Sequence, residues 1–391
     1  MSTIYLDYNA TTPVDSRVLA AMTPFFSDRY GNPSSRDHAH GWAAAEALEQ
    51  SREAVAECAG AKPHEIVFTS GATEALNVCI KGLVGHQRAG RARIIVSATE
   101  HRAVLAPCEQ LARAGGLDSH IVPVDRLGNI DLNQLKAALS STKAMLVAIM
   151  AANNDLGTIY PVNDISQIVH AAGALLLCDM TQSVGKIPMD VHAAGIDVAA
   201  FSAHKIYGPK GVGALFVRDA EPRIKLEPLI AGGGQERGLR GGTLNLPGIV
   251  AFAEACRIAR EELHRETERV SRLRNRLEQT ILAEVRDTWV NGDPVRRIPN
   301  TSNIGFKGVD ARTLIRDMHD IAVSTQAACS SGSTGPSHVL KAIGLTDDEA
   351  YSCIRFSLGR FTTDEEIDYT INKVIASVHK LRRMKIHRVS V

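Results

Sequence analysis

The sequence predicts an α/β protein, with a mostly parallel sheet covered by helices on both faces and a second, smaller α+β domain. Three observations predict it. Short apolar runs alternate with helical stretches through the first two thirds of the chain, the pattern of parallel strands buried on both faces. The chain has 391 residues, more than one simple core accommodates, so two domains are expected. Small polar or Gly-rich clusters follow directly on several apolar runs, where doubly wound sheets bind ligands.

The elements follow in order. Residues 42–59 are rich in Ala and Glu at helical spacing, and Gly60 is a natural stop. Ile66–Thr69 predicts a strand and Thr73–Val84 a helix. Arg93–Ser97 predicts the next strand, followed by a helix from His101 to Ala114. Apolar runs at Ala144–Met150, Ala174–Cys178, Val198–Phe201 and Val212–Val217 supply further strands. A charged helical stretch, Pro247–Glu284, leads into the smaller domain. There Thr301–Phe306 and Cys353–Leu358 are expected as strands, with helices at Ala311–His319 and from Asp364 to Arg383. The expected division is a large domain over 16–255 and a small one over 256–391, joined by the N-terminal residues 1–15.

Composition narrows the function. Apolar residues make up 45% and charged residues 22%, as in ordinary soluble globular proteins. Lys and Arg number 44 against 43 Asp and Glu; this balance argues against a dedicated nucleic-acid binder. No signal peptide is visible at the N-terminus, and no run approaches the ~18 apolar residues of a membrane span. The seven cysteines are odd in number, scattered and without Cys-x-x-Cys spacing. Neither a disulfide framework nor a resident metal site is expected, and a reducing cytoplasm fits.

Four clusters carry the chemistry. Ser70-Gly71-Ala72-Thr73-Glu74 follows a strand and opens a helix, where backbone N–H groups suit a phosphate; taken alone it is a Gly turn with Thr73 as N-cap. Asp179-Met180-Thr181-Gln182 places a carboxylate at a buried strand end. Such a carboxylate needs a partner, either a structural one or the pyridine nitrogen of pyridoxal 5′-phosphate (PLP). Ser202-Ala203-His204-Lys205 follows an apolar strand and precedes a Gly-rich turn. An amine there is partly desolvated, its pKa lowered, and able to form a Schiff base, with Ser202 and His204 able to donate to a phosphate. The segment 324–336 is small, polar and rich in Gly and Ser, and it holds Cys329. The other six cysteines lie on helical or apolar stretches and are expected to be buried and inert. A cysteine on a polar loop is either incidental or a nucleophile that must travel.

With these residues in place the chain resembles the cysteine desulfurases, class-V aminotransferases of PLP fold type I, in the branch associated with iron–sulfur cluster assembly. The resemblance runs nearly end to end. It rests on Tyr5-Leu-Asp-Tyr-Asn-Ala-Thr-Thr-Pro13, Phe68-Thr-Ser-Gly-Ala-Thr-Glu74, Thr99-Glu-His101, Asn153-Asn154 and Asp179-Met-Thr-Gln-Ser-Val-Gly-Lys186. It continues through His204-Lys-Ile-Tyr-Gly-Pro-Lys-Gly211, Gly232-Gly-Gly-Gln-Glu-Arg-Gly238, Arg240-Gly-Gly-Thr243 and Ile354-Arg-Phe-Ser-Leu-Gly-Arg360. Each is weak alone; their order and spacing are specific.

The resemblance implies a seven-stranded sheet in the large domain and a role for each matched residue. Lys205 holds PLP and moves the Cα proton, and His101 stacks on the ring and assists proton transfer. Asp179 pairs with the pyridine nitrogen and Gln182 with the phenolic oxygen. Ala72, Thr73, Ser202 and His204 hold the phosphate, with Thr243 reaching in from the other subunit of a homodimer. Asn154 contacts cofactor or substrate, and Arg355 binds the carboxylate of L-cysteine. Cys329 takes the sulfur as a persulfide and passes it to a protein acceptor such as a cluster scaffold or a thiolation enzyme; it is also a candidate for transient ligation of an iron–sulfur cluster. Without the motifs, His101 reads as a helix cap, Asn154 and Gln182 as turn residues, and Arg355 as an exposed strand residue.

Departures from the family pattern are Asp155 where Glu is usual, Met180 where a small residue is usual, and a basic C-terminal helix (Lys380, Arg382, Arg383, Lys385, Arg388) in place of a longer tail. That helix reads as a solvated face before an acceptor-binding patch. Rival readings are a selenocysteine lyase, an aminotransferase or another class-V PLP enzyme, and a partner-binding protein on a retained fold.

Overall fold

The computed structural model describes residues 3–86, 92–141, 143–325 and 335–389, with side chains to residue 384. The strands, in chain order, are β1 (Ile4–Tyr5), β2 (Ile66–Thr69), β3 (Ala92–Ser97), β4 (Leu117–Val122), β5 (Leu146–Ala148) and β6 (Leu175–Asp179). They continue with β7 (Val198–Ser202), β8 (Gly213–Val217), β9 (Thr288–Asn291), β10 (Thr301–Phe306), β11 (Ile321–Ala322) and β12 (Cys353–Ser357). The α-helices are α1 (Ser16–Met22), α2 (Pro24–Ser27), α3 (Ala39–Ala59), α4 (Ala72–His86), α5 (Arg102–Arg113) and α6 (Leu132–Ser141). After them come α7 (Val162–Ala171), α8 (Leu246–Glu284), α9 (Ala311–Asp317), α10 (His338–Ala342), α11 (Asp347–Tyr351) and α12 (Asp364–Val389).

Seven strands form the main sheet in the order β2-β8-β7-β6-β5-β3-β4. Five run parallel in sequence across it, while β8 is antiparallel to both of its neighbours. The central strands alternate between two cores. Ala199 and Phe201 face the layer of α3, α7 and the start of α8, and Val198 and Ala200 face the layer of α4 and α5. Burial on both faces is what makes these strands continuous apolar runs. The expected mostly parallel, helix-covered seven-stranded sheet is present.

The helix α8 serves both halves of the molecule. Ile249, Phe252 and Cys256 pack against the main sheet, whereas Val270, Leu273, Leu277 and Ile281 line a second core with β10, β12 and α12. This 3–4 spacing keeps one stripe inward along the second half. Strands β9, β10 and β12 form an antiparallel sheet. The N-terminal segment reaches this side: β1 pairs in parallel with β11, Asp7 bridges to Ser357, and Leu6 enters the second core. It then returns to the main sheet, where Thr12 N–H donates to His204 O and Asp15 N–H to Tyr207 O. The chain start is thus the strap between the two cores, and its Asn9, Ala10 and Thr11 line a cavity at the carboxyl ends of the central strands.

Among the described residues no helix is long and apolar enough to cross a membrane, and no group of His, Cys, Asp and Glu is placed to hold a metal ion.

Candidate active site

A cavity of about 1180 Å³ opens at the carboxyl ends of the central strands. It is lined by Ala72, Thr73, His101, Asn154, Asp179, Gln182, Ser202, His204, Lys205 and Arg355. These come from strand ends, helix starts and turns far apart in sequence, so the fold gathers all the proposed site residues except Thr243 and Cys329. Thr243 lies exposed and does not line this cavity. Cys329 lies outside the described residues.

Lys205 ends the 3₁₀ turn that follows β7, a strand buried along its whole length. Its Nζ donates to Asn9 O at 2.6 Å and to Ala10 O at 2.7 Å. The amine is therefore held by the N-terminal strap. His204 beside it has Nδ1 3.1 Å from Thr11 Oγ1. Burial first, then the charges of Lys205, Lys210 and Lys186, push this imidazole down to about 4.

At one end of the cavity Gly71 adopts φ +156° and α4 begins at Ala72, so the first backbone N–H groups of the helix face the space. Thr73 is the second helical residue rather than the N-cap, which corrects the simple turn reading. Gly213 at the start of β8 packs directly on Gly71; a Cβ there would lie 2.6 Å from Gly71 Cα. Glu74 ties Ser70 N–H (2.7 Å) and Arg240 Nε (3.0 Å) together, so the Gly-rich segment ahead of Thr243 is anchored at the helix start.

Asp179 ends β6, nearly buried, and its Oδ1 accepts from Thr181 N–H at 2.9 Å. His101 is the N-cap of α5, its Nδ1 accepting from Ala103 N–H at 3.1 Å. The helix-cap reading is correct and does not exclude a catalytic one: capping through Nδ1 leaves Nε2 to carry the proton of the neutral ring. Burial holds His101 below its ordinary value; Asp179 pulls it up and Lys205 pushes it down.

Arg355 is 2% exposed, which corrects the exposed-strand reading. Its Nη2 donates to Asp7 Oδ1 at 2.5 Å and its Nη1 to Asn154 O at 3.0 Å. Its Nε is buried and finds no acceptor among the described residues. A buried donor left unmet costs about 1–3 kcal/mol and marks a place for an anion. The Asn154 amide is fastened to Asp155 Oδ1, and Asp155 Oδ2 accepts from Ser337 Oγ at 2.9 Å. Asp155, the short acid of the family comparison, therefore joins the Arg355 side to the residue that caps α10.

Several site residues went unassigned in the sequence. Asn9 accepts through its carbonyl from both Gln182 and Lys205. Lys186 donates to Gln182 Oε1 at 2.5 Å. His338 lines the cavity with Nε2 2.9 Å from Glu100 O; since a carbonyl only accepts, Nε2 carries the proton. Asn9 and Lys186 stand inside motifs that were recognised, and only long-range contacts reveal their partners. The six other cysteines are all buried, as expected. Burial pushes Cys108 and Cys353 up to about 12 and Cys178 well above the ordinary thiol range.

The donor set fits PLP. One end offers backbone N–H groups, Ser202 and His204 for a phosphate, the wall offers a carboxylate for a ring nitrogen, and an amine stands beside them.

Comparison with known proteins agrees. The chain matches the model of the aminotransferase class-V family over residues 4–370. It is 49% identical over 382 residues to the cysteine desulfurase IscS of Salmonella newport (strain SL254), spanning 97% of this chain and 93% of that protein. Against the cysteine desulfurase of Homo sapiens the identity is 45% over 381 residues, 97% of this chain and 83% of that one. A solved NifS-like protein superposes with a TM-score of 0.87 at 38% identity, covering 96% of this chain and 98% of that one. A structure described as SspA in complex with cysteine gives 0.81 at 37% identity, covering 92% and 100%. The chain belongs to the class-V aminotransferases and, within that PLP-dependent family, to the cysteine desulfurases.

Proposed function

We propose that the chain removes sulfur from L-cysteine, with Lys205 holding PLP, Arg355 binding the substrate carboxylate and Cys329 receiving the sulfur. The observation that carries this is the placement of the Lys205 amine in one cavity with Asp179, His101 and Arg355. The solved relative that holds cysteine supports the substrate.

When bound, PLP supplies an aldehyde that joins amines and a protonated ring that draws electron density from the α-carbon of the amino acid. The residues of the chain do the rest. Arg355 has an Nε–H that is unmet among the described residues and one remaining hydrogen on each Nη for the carboxylate, and Asn154 stands beside it. Asp179 is the carboxylate that keeps a ring nitrogen protonated. Lys205 takes the Cα proton, and the carbonyls of Asn9 and Ala10 are in place to accept hydrogen bonds from the resulting ammonium. His101, uncharged at neutral pH, moves protons at the same face. Cys329 attacks the substrate sulfur: an S–S bond forms, the Cβ–S bond breaks, and the thiol proton is retained in the products. Cysteine and a thiol become alanine and a persulfide, so no outside oxidant is needed. The persulfide then serves a protein sulfur acceptor.

The same proposal includes a homodimer in which Thr243 completes the phosphate site of the partner, a cytoplasmic setting, and a division into 16–255 and 1–15 with 256–391. The exposed position of Thr243 and the two cores served by α8 support it. The test is visible absorbance. Protein mixed with PLP should turn yellow, and Lys205→Ala should lose both the colour and the borohydride-reducible bond. A Lys205→Ala protein that keeps that bond rejects the reading.

A further inference from the structure

Lys186 does not line the cavity but lies against Gln182, which does. Lys186 Nζ donates to Gln182 Oε1 at 2.5 Å and to Asn9 Oδ1 at 3.3 Å. Gln182 in turn donates through Nε2 to Asn9 O at 3.0 Å, the same carbonyl that accepts from Lys205 Nζ. The four residues thus form one chain: Lys186, Gln182, Asn9, Lys205.

This chain determines which way the Gln182 amide faces. An amide oxygen and an amide NH₂ are similar in size and opposite in function. With Oε1 toward Lys186 and Nε2 toward Asn9 O, both contacts are favourable. Turned over, the NH₂ would meet an amine that donates, and the oxygen would meet a carbonyl that accepts. The NH₂ has two hydrogens, and Asn9 O takes one. The second belongs to a group that lines the cavity.

We propose that Lys186 is a positioning residue for the cofactor: it locks the Gln182 amide so that its spare N–H serves as a hydrogen-bond donor inside the cavity. The proposal rests on the reading of Gln182 as the partner of the phenolic oxygen of PLP. Lys186 touches neither substrate nor cofactor and acts through the Gln182 amide; its charge also repels that of Lys205, and a shift from that source alone would simply add to that of Gln182→Leu. Its surroundings are those of a strongly held group. Burial, then the charges of Lys205 and Arg355, bring its amine down to about 7, while Glu266 pulls the other way. Charged or neutral, the amine retains hydrogens to donate to Oε1.

A donor on the phenolic oxygen makes that oxygen less basic and eases proton loss from the neighbouring Lys205–cofactor nitrogen. Removing the donor therefore moves the titration of the yellow chromophore to higher pH. Lys186→Met should keep the fold, because Asn9 Oδ1 retains its second donor, Asn300 Nδ2 at 2.9 Å. Among the described residues, Gln182 Oε1 alone is left without a donor.

The experiment is a spectrophotometric pH titration of the holoenzyme. The wild-type colour must first appear with PLP and vanish in Lys205→Ala; a wild-type protein without colour removes the underlying reading and this proposal with it. Given that colour, Lys186→Met should raise the pH of half-conversion by about 0.5 unit or more. Gln182→Leu should raise it too, and the double variant should shift by less than the sum of the two. An unchanged midpoint in Lys186→Met, or two fully additive shifts, overturns the proposal. If Lys186→Met does not fold, Lys186→Gln is titrated instead. Its amide nitrogen is one atom short of the position of the Lys186 amine, so the hydrogen bond to Gln182 is lost, the same rise is expected and an unchanged midpoint is equally fatal.

Discussion

Arg355 on β12 donates to Asp7 Oδ1 at 2.5 Å, which joins the last strand of the small sheet to the N-terminal strap directly over the cavity. The guanidinium is thereby fixed in one plane before substrate arrives, with its Nε–H unmet among the described residues. Arg355→Lys keeps the charge but loses the planar fork. The expected result is a KM for cysteine raised about 10- to 100-fold, the equivalent of one lost charge-assisted hydrogen bond of about 1.5–3 kcal/mol. Steady-state kinetics check this, and an unaltered KM removes Arg355 from carboxylate binding.

Cys329→Ala separates cofactor chemistry from sulfur transfer. The variant should take up PLP with normal colour and still change its spectrum on adding cysteine, since none of the residues that line the cavity is altered. It should carry no persulfide. Mass measurement of the protein after a single turnover reads this directly. Wild-type amounts of released sulfur from the variant assign the sulfur-accepting role elsewhere.

Much of this was legible in the chain, for identifiable reasons. The strands β6, β7 and β8 are buried on both faces and read as unbroken apolar runs, and Lys205 follows the clearest of them. The strand β4 escaped because it is an edge strand: Leu117 and Val122 are buried, but the four residues between them face solvent. The basic C-terminal stretch turned out to be partly structural. Arg382 donates to the carbonyls of Arg286, Asp287 and Lys307, so part of its charge holds α12 in place. The roles of Asn9 and Lys186 could not be read locally. Each depends on contacts to residues more than 100 positions apart or to a loop whose shape is set by β6.

His204 predicts a pH effect on the cofactor-free protein. Burial and the nearby lysines bring its pKa down from 6.5 to about 4 in the folded state. Between those values the unfolded chain binds a proton that the folded chain does not, so stability rises with pH across that window. Its contribution is fully present above about pH 6.5 and lost as pH falls toward 4. His204→Asn removes this titration. Urea unfolding at pH 7 and pH 5 should show a larger loss of stability for the wild type than for His204→Asn. Equal losses in the two proteins mean that His204 titrates alike folded and unfolded.

Gly213 tests the phosphate end through the backbone alone. A Cβ at this position would lie 2.6 Å from Gly71 Cα and 2.7 Å from Phe201 O, so it meets backbone on both sides and neither can rotate away. Gly213→Ala must push Gly71 and the first turn of α4 outward, at a cost of about 1–3 kcal/mol for overpacking. The same displacement moves the N–H groups that would hold the phosphate. Gly173 supplies the control: it sits at φ +72° with nothing within 4 Å and does not line the cavity. Gly173→Ala should lower the Tm through backbone strain alone and leave PLP affinity unchanged. Gly213→Ala should lower the Tm and also weaken PLP binding about 10-fold or more, since a tenfold change corresponds to only about 1.4 kcal/mol. Fluorescence titration with PLP distinguishes the two. If Gly213→Ala folds and binds PLP as tightly as the wild type, the contact between β8 and Gly71 supports the fold but not the phosphate.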